Sequence, residues 1–233
     1  VPELSKLNNT SQYYLDRPMH LVVGQEGESV LNTIHRSLAG LILIFIIVHL
    51  CNHLVGIAGV EAHIEFMEFA RSFYRNIVVE VILLSALLIQ VCLGLFFVYR
   101  SWGKRTGFYQ RAQSISGCYL AFFLLAHVSA TLNARGPLGL DTNYYFAAAG
   151  MHIANLAYFF VPYYFFAVVA IFVHVASASH GLASTKYSVS AADTIGVSII
   201  LIGVIISSLI ISSLGVLFYD IVIPSRYVVM FGQ

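Results

Sequence analysis

Five stretches of this chain are long, apolar and almost free of charged side chains. They run over 34–57, 77–99, 112–132, 153–179 and 194–218. The hydrocarbon core of a bilayer is about 30 Å thick and takes about 20 helical residues to cross. Because backbone polar groups in lipid must find their partners within the segment, such stretches are helical. The pattern therefore predicts an all-α membrane protein, a bundle of about five transmembrane helices.

The low content of charged residues agrees with this prediction. Of the 233 residues, 59% are hydrophobic and 10% are charged, whereas a soluble domain carries about 25% charged residues. The net charge of +1 gives no indication of a nucleic-acid partner. The three cysteines, Cys51, Cys92 and Cys118, lie inside apolar stretches without CxxC spacing. A zinc site or a disulfide framework is therefore not expected.

We expect residues 1–233 to form a single membrane domain, which includes the segments outside the spans. Residues 1–33 are polar and of mixed charge, and we expect a soluble arm that docks on a partner. The segment 59–76, between the first two spans, has apolar residues at near-helical spacing. These are Ile64, Met67, Phe69, Ala70 and Phe73, and they alternate with Glu61, Glu65, Glu68, Arg71 and Arg75. This pattern predicts a short interfacial helix that lies on the membrane surface.

The distribution of lysine and arginine predicts the orientation, because these residues are more frequent on the cytoplasmic side. With five spans, one side holds Lys6, Arg17, Arg36, Arg100, Lys104, Arg105, Arg111 and Lys186. The other side holds Arg71, Arg75, Arg135 and Arg226. We therefore expect the N-terminus inside, in a bacterial inner membrane or a mitochondrial inner membrane.

Histidines inside the spans are candidate functional residues, because ionisable groups in a bilayer are costly. His49 lies about 20 Å beyond Arg36 along the first span, and His127 lies about 21 Å beyond Gln113 along the third. Imidazole is a common axial ligand of haem, and helical bundles hold cofactors between facing helices. The equal depth predicts that His49 and His127 bind haem iron in the outer half. Hydrogen-bonded packing and a proton path are the alternatives, and His53, one turn further, competes with His49 or reaches a haem propionate.

Other histidines indicate an inner site. His35 precedes His49 by 14 residues, which places both on one helix face about 21 Å apart. His174, near the inner end of the fourth span, is predicted as an iron ligand there, with Gln90, His35 or His180 as its counterpart. Arg36 is either a positive-inside anchor or a donor to a quinone carbonyl or a haem propionate. His63 and His152 lie outside the spans and are expected at the surface.

Several short motifs together resemble a known family. They are His49-Leu50-Cys51-Asn52-His53, the stretch from Glu80 to Gly94-Leu95, Ser116-Gly117 followed by His127, and Phe172-Val173-His174. In this order they resemble the cytochrome b membrane anchor of complex II, the succinate:quinone oxidoreductase and quinol:fumarate reductase family, in its five-helix type. A looser likeness, to the small anchor subunit of mitochondrial-type complex II, rests on Arg17-Pro18, His20-Leu21 and His35-Arg36 followed by Gly40.

The resemblance implies a function and a ligand set. It implies haem b, with His49 and His127 as the ligands of the outer haem and His174 as a ligand of the inner one, and quinone binding at Arg36. The family's remaining inner ligand falls at Gln90, so the chain holds one haem or two. Flavoprotein and iron–sulfur subunits would dock on the inner face, because this chain has no flavin motif and no cysteine set of its own. Two alternatives stay open: a stand-alone haem b membrane cytochrome, and a haem-free structural subunit of a larger respiratory assembly.

Overall fold

The computed structural model describes residues 19–215, 217–218 and 220–232, with side chains from residue 27 onward. All regular elements in this part of the chain are helical. They are α1 (Met19–Val55), a 3₁₀ turn (Gly56–Ala58), α2 (Val60–Tyr74), α3 (Ile77–Ser101), α4 (Phe108–Arg135), α5 (Tyr144–Ala149), α6 (Ala154–Ala183), α7 (Val189–Leu214) and α8 (Ser225–Val229).

Five of these helices, α1, α3, α4, α6 and α7, are long and apolar enough to cross a membrane. The predicted all-α, five-helix architecture is therefore confirmed. The bounds differ mainly at the start, because α1 begins at Met19 and not at residue 34. Part of the predicted N-terminal arm thus continues the first helix, and residues 1–18 lie outside the described part.

Side-chain caps fix where two of the long helices begin. The Asn76 side-chain oxygen accepts a hydrogen bond from the backbone N–H of Val78 at 3.0 Å, at the start of α3. The Ser188 hydroxyl oxygen accepts one from the N–H of Ala191 at 3.3 Å, at the start of α7. Such caps satisfy backbone donors that a helix leaves unpaired in its first turn.

The five long helices form a closed ring. Around it, α1 packs on α3, α3 on α4, α4 on α6, α6 on α7, and α7 back on α1. The five pairs that are not neighbours in the ring, which include α1 with α4, α1 with α6 and α3 with α6, are not among the closely packed pairs. We call the end with Ser101, Phe108 and Ala183 the N-face, and the end with Val55, Arg135 and Ala154 the C-face.

The tightest helix contact is between α6 and α7. A Cβ atom at Gly203 would lie 2.3 Å from the Cβ of Phe172, so only glycine lets the two backbones come this close. Four residues further along α7, the Ser207 hydroxyl donates to the backbone carbonyl of Phe165 at 2.8 Å. The close approach at Gly203 and this hydrogen bond together join α6 and α7.

Short helices close the C-face. Tyr144 of α5 and Tyr227 of α8 are fully buried, and the Tyr144 hydroxyl donates to the backbone carbonyl of Ser213 at 2.5 Å. The largest fully buried side chains of the described residues all lie in this half of the bundle: Tyr144, Tyr227, His63, Ser207 and Ser213. The N-face half of the ring contains no comparably buried large side chain among the residues described.

Helix α2 confirms the predicted short helix, but its faces differ from the prediction. Met67 and Ala70 are buried, whereas Phe69 and Phe73 are exposed. Arg71, assigned to the polar face, is only 6% exposed. It pairs with Glu68 and Asp141 at 2.8 Å each, which makes burial of its charge possible. Contact of the exposed aromatic pair with the membrane surface stays a prediction.

Substitution of Gly203 by alanine is expected to destabilise the bundle. The new methyl group would overlap the Cβ of Phe172, which moves only if α6 and α7 separate, and overpacking of this kind costs about 1–3 kcal/mol. Gly40→Ala is the matched control, because no atom lies within 4 Å of its added Cβ. Its effect should be neutral or stabilising by about 0.5–1 kcal/mol. Unfolding of the purified protein in detergent measures both, and equal stability of the two variants would contradict the described α6–α7 contact.

Candidate functional site

Two histidines face each other across the ring of helices. His49 projects from α1 and His127 from α4, and their ring centres are 6.1 Å apart. His49 lies about 9 Å from the C-face end of α1, and His127 about 12 Å from that end of α4. The structure therefore brings together the two residues that their equal depth predicted as a pair. It does so between two helices that are not packed against each other.

Aromatic side chains hold both rings in place. Phe123, one turn before His127 on α4, stacks on the His127 ring at 5.1 Å between centres and an angle of 12°. Phe45, one turn before His49 on α1, stacks on that ring at 5.6 Å and 15°. Tyr164 of α6 meets the His127 ring edge-on at 6.5 Å. Stacking partners at i−4 follow from the helical repeat and leave each imidazole few rotamers.

The ring nitrogens of His49 and His127 have no hydrogen-bond partner among the described residues. Both rings lie deep in the bundle, yet both keep part of their surface open. Each ring therefore combines a deep position with a partly accessible surface. Polar atoms in such a position are normally satisfied by a ligand or by water.

The spacing of the two rings fits a single metal between them. Imidazole nitrogens bind metals at about 2 Å, so two imidazoles on opposite sides of one ion have ring centres roughly 6 Å apart. Among the described residues, no group of three or more His, Cys, Asp and Glu side chains is arranged to hold a metal ion. A metal at this pair would need its remaining ligands from a prosthetic group, as haem iron has from its macrocycle.

A row of polar side chains continues from this pair to the C-face. The His53 ring lies 4.8 Å from that of His49, and the His63 ring follows at 5.4 Å from that of His53. His63 belongs to α2, and its Nε2 is 3.1 Å from the side-chain nitrogen of Asn52. The Nδ1 atoms of His53 and His63 are buried without a partner. His53 thus lies beside the predicted pair, on the side towards the C-face.

The surface position expected for His63 is wrong, because only 2% of this residue is exposed. The sequence did not predict this burial, because a histidine within a helix rich in charged residues is usually solvated. The burial of His63 depends on how α2 folds back over the bundle. The one available signal was Asn52, a polar residue near the end of an apolar stretch that needs a partner. His152, also expected at the surface, is partly buried and lies 2.9 Å from the carbonyl oxygen of Leu214.

The inner candidates form two separate hydrogen-bonded pairs. His35 of α1 has its Nε2 atom 3.1 Å from the side-chain nitrogen of Gln90 on α3. His174 of α6 has its Nδ1 atom 3.2 Å from the hydroxyl oxygen of Ser116 on α4. Each imidazole also faces a glycine: added Cβ atoms would lie 3.6 Å from His35 at Gly94 and 3.2 Å from His174 at Gly117.

The other two inner candidates are Arg36, which follows His35 on α1, and His180, which lies three residues before the N-face end of α6. Arg36 is exposed and borders a shallow groove with Asn32 and Thr33. His180 has its Nε2 3.0 Å from a carboxylate oxygen of Asp193 and stacks on Tyr109 at 3.8 Å between ring centres. The structure therefore separates His180 from His174, and it places Arg36 outside the ring.

Comparison with known proteins adds no identity. No family model, no curated protein and no solved structure matches this chain. The functional argument therefore rests on the site itself.

The docking of α2 is expected to weaken in acid. Burial lowers the pKa of His63 to about 4, and the electrostatic influence of His49 and Arg71 adds to this. The folded state thus favours the neutral imidazole, so its stability contribution is complete above pH 6.5 and is lost as the pH falls from 6.5 towards 4, by about 3 kcal/mol in total. Hydrogen exchange of α2 in detergent, followed from pH 7 to pH 4.5, measures this loss.

His63→Gln is the control for this titration. Glutamine keeps a polar group near Asn52 but has no proton to gain in this range. The pH dependence of α2 exchange should flatten in this variant. An unchanged pH dependence would assign the effect to another group.

Proposed function

We propose that this chain is a haem b-binding membrane anchor that passes electrons between a docked flavin and iron–sulfur dehydrogenase and quinone, in the manner of complex II. One observation carries the proposal: His49 and His127 face each other across the ring at a spacing that fits one metal, with no other partner for their nitrogens. The resemblance of the histidine motifs to the complex II anchors supports the same function.

The site suits haem better than a metal bound by side chains alone. Haem iron takes two axial ligands from the protein, and this site offers two imidazoles. A flat macrocycle also needs room between helices, and α1 and α4 are not packed against each other. When bound, haem b supplies a one-electron carrier whose potential depends on its axial ligands and burial.

The chain's own residues would hold and shield that carrier. His49 and His127 would each hold the haem iron through a ring nitrogen. Phe45 and Phe123 would keep the imidazole planes fixed by stacking. Apolar side chains of α1, α3 and α4 form a core next to this level, around Ile42, Ala86 and Leu87, which would exclude water from one side of the site.

The N-face would carry the partner subunits and quinone. The last turn of α3, the loop that follows it and the first turn of α4 place Arg100, Lys104, Arg105 and Arg111 at this end. By the distribution of positive charge this end would be cytoplasmic or in the matrix. Arg36, exposed beside a groove, would donate to a quinone carbonyl. Iron–sulfur clusters need sets of cysteine thiolates, and the three cysteines here lie on three different helices, so these clusters would belong to a partner.

The proposal is tested by the reduced-minus-oxidised absorption spectrum of the purified full chain, with identification of the proteins that copurify. We expect a b-type spectrum, and its loss to background in both His49→Ala and His127→Ala. His152→Ala is the matched control, because this histidine also lies near the C-face but its ring is hydrogen-bonded to the backbone carbonyl of Leu214. In His49→Gly, added imidazole should restore part of the spectrum, which a merely structural role of His49 would not produce.

The possible outcomes separate the alternatives. Haem together with a flavoprotein and an iron–sulfur protein supports the proposal. Haem in a chain that purifies alone favours a stand-alone cytochrome. A wild-type protein without haem would overturn the ligand roles of His49 and His127 and leave a structural subunit.

A further inference from the structure

A second level of polar side chains lies in the N-face half of the ring. Gln90 is about 16 Å from the N-face end of α3, and His174 is about 14 Å from that end of α6. These two helices face each other across the ring, as α1 and α4 do at the level of His49 and His127. The geometry therefore repeats at this level, but one of the two facing positions holds an amide in place of an imidazole.

His35 cannot replace the missing imidazole in the arrangement described. Its Nε2 atom is 3.1 Å from the Gln90 side-chain nitrogen, which donates to the lone pair that a metal would need. If the Gln90 amide were turned over, its oxygen would accept from a protonated Nε2, and that nitrogen would again be closed to a metal. Gln90 thus supplies no imidazole itself, and it also hydrogen-bonds the nearest histidine, His35.

The opposite side of this level is prepared for a ligand. The Nδ1 atom of His174 is 3.2 Å from the Ser116 hydroxyl, a bond to the second ring nitrogen that is typical of metal-binding histidines. Its Nε2 atom has no hydrogen-bond partner among the described residues. The other histidine near the N-face, His180, is engaged by Asp193 and Tyr109. Among the described side chains, His174 therefore faces no second imidazole with an open nitrogen.

We infer that Gln90, by its bond to His35, closes the N-face half of the ring to haem iron, so that the chain binds one haem, at His49 and His127, and not two. This inference rests on the proposed function. It makes Gln90 the residue that sets the number of haems. It also leaves His174 as a hydrogen-bonded packing residue in the wild-type protein.

The first test is the haem content of the protein as it purifies, measured as pyridine haemochrome per copy of this chain. We expect a ratio of one, and a redox titration with a single midpoint potential. The ratio should stay at one in His174→Ala and fall to background in His127→Ala. A wild-type ratio of two, or loss of haem in His174→Ala, would overturn the inference. A ratio of zero would instead overturn the proposed function, so the two failures are distinguishable.

The second test introduces the missing ligand. Gln90→His should raise the ratio towards two and add a second bis-imidazole signal in the electron paramagnetic resonance spectrum. Gln90→Leu, which breaks the bond to His35 and frees its Nε2, should also raise the ratio above one, with His35 as the counterpart of His174. A ratio of one in this variant would show that the bond to His35 is not what closes this level. The gain should disappear again in Gln90→His combined with His174→Ala. A ratio of one in a stably folded Gln90→His variant would show that Gln90 is not what excludes the second haem.

Discussion

The need to pair every backbone N–H and C=O inside a hydrocarbon layer governs this structure. It makes each crossing a helix, and a helix exposes side chains only, at fixed angular steps of about 100° per residue. Any chemistry in the membrane must then come from side chains on facing helices at equal depth. In this chain the five long helices close into a ring. Side chains from two helices that are not packed against each other therefore meet across the interior of that ring.

The helical repeat explains why the candidate residues form two levels. His35 and His49 are 14 residues apart, nearly four turns, so α1 presents both to the interior of the ring about 21 Å from each other. Helix α4 presents Ser116 and His127 at the corresponding two depths. At the C-face level two imidazoles face each other without a hydrogen-bond partner, whereas at the N-face level His35 and His174 are each hydrogen-bonded to another side chain. The same helical repeat thus places the His49–His127 pair at the C-face level and two hydrogen-bonded contacts, His35–Gln90 and His174–Ser116, at the N-face level.

The five spans and the pairing of His49 with His127 could be predicted from the sequence, because both follow from local rules. Charge-free length defines a span, and distance along a helix defines depth. The arrangement of α2, α5 and α8 at the C-face could not be predicted in the same way. The burial of His63 depends on Asn52, which lies on a different helix, and that of Arg71 depends on Asp141, which is far away in sequence. Helices α5 and α8 are too short to show a period. The engagement of His35 by Gln90 is likewise a contact between two helices, and no pattern on either helix alone specifies it.

The polar atoms around His49 and His127 have an energetic consequence of their own. A fully buried polar atom without a partner costs about 1–3 kcal/mol, and the Nδ1 atoms of His53 and His63 are in this position. The close contact of α6 with α7 and the buried side chains of Tyr144 and Tyr227 stabilise the fold elsewhere. That stability allows this cost to remain at one level of the ring. A ligand that binds the His49 and His127 nitrogens would stabilise the folded state by an amount that grows with its concentration relative to its dissociation constant. A group that reaches both imidazoles at once would gain two bonds, whereas a group that reaches only one of them would gain one, so the pair favours the former.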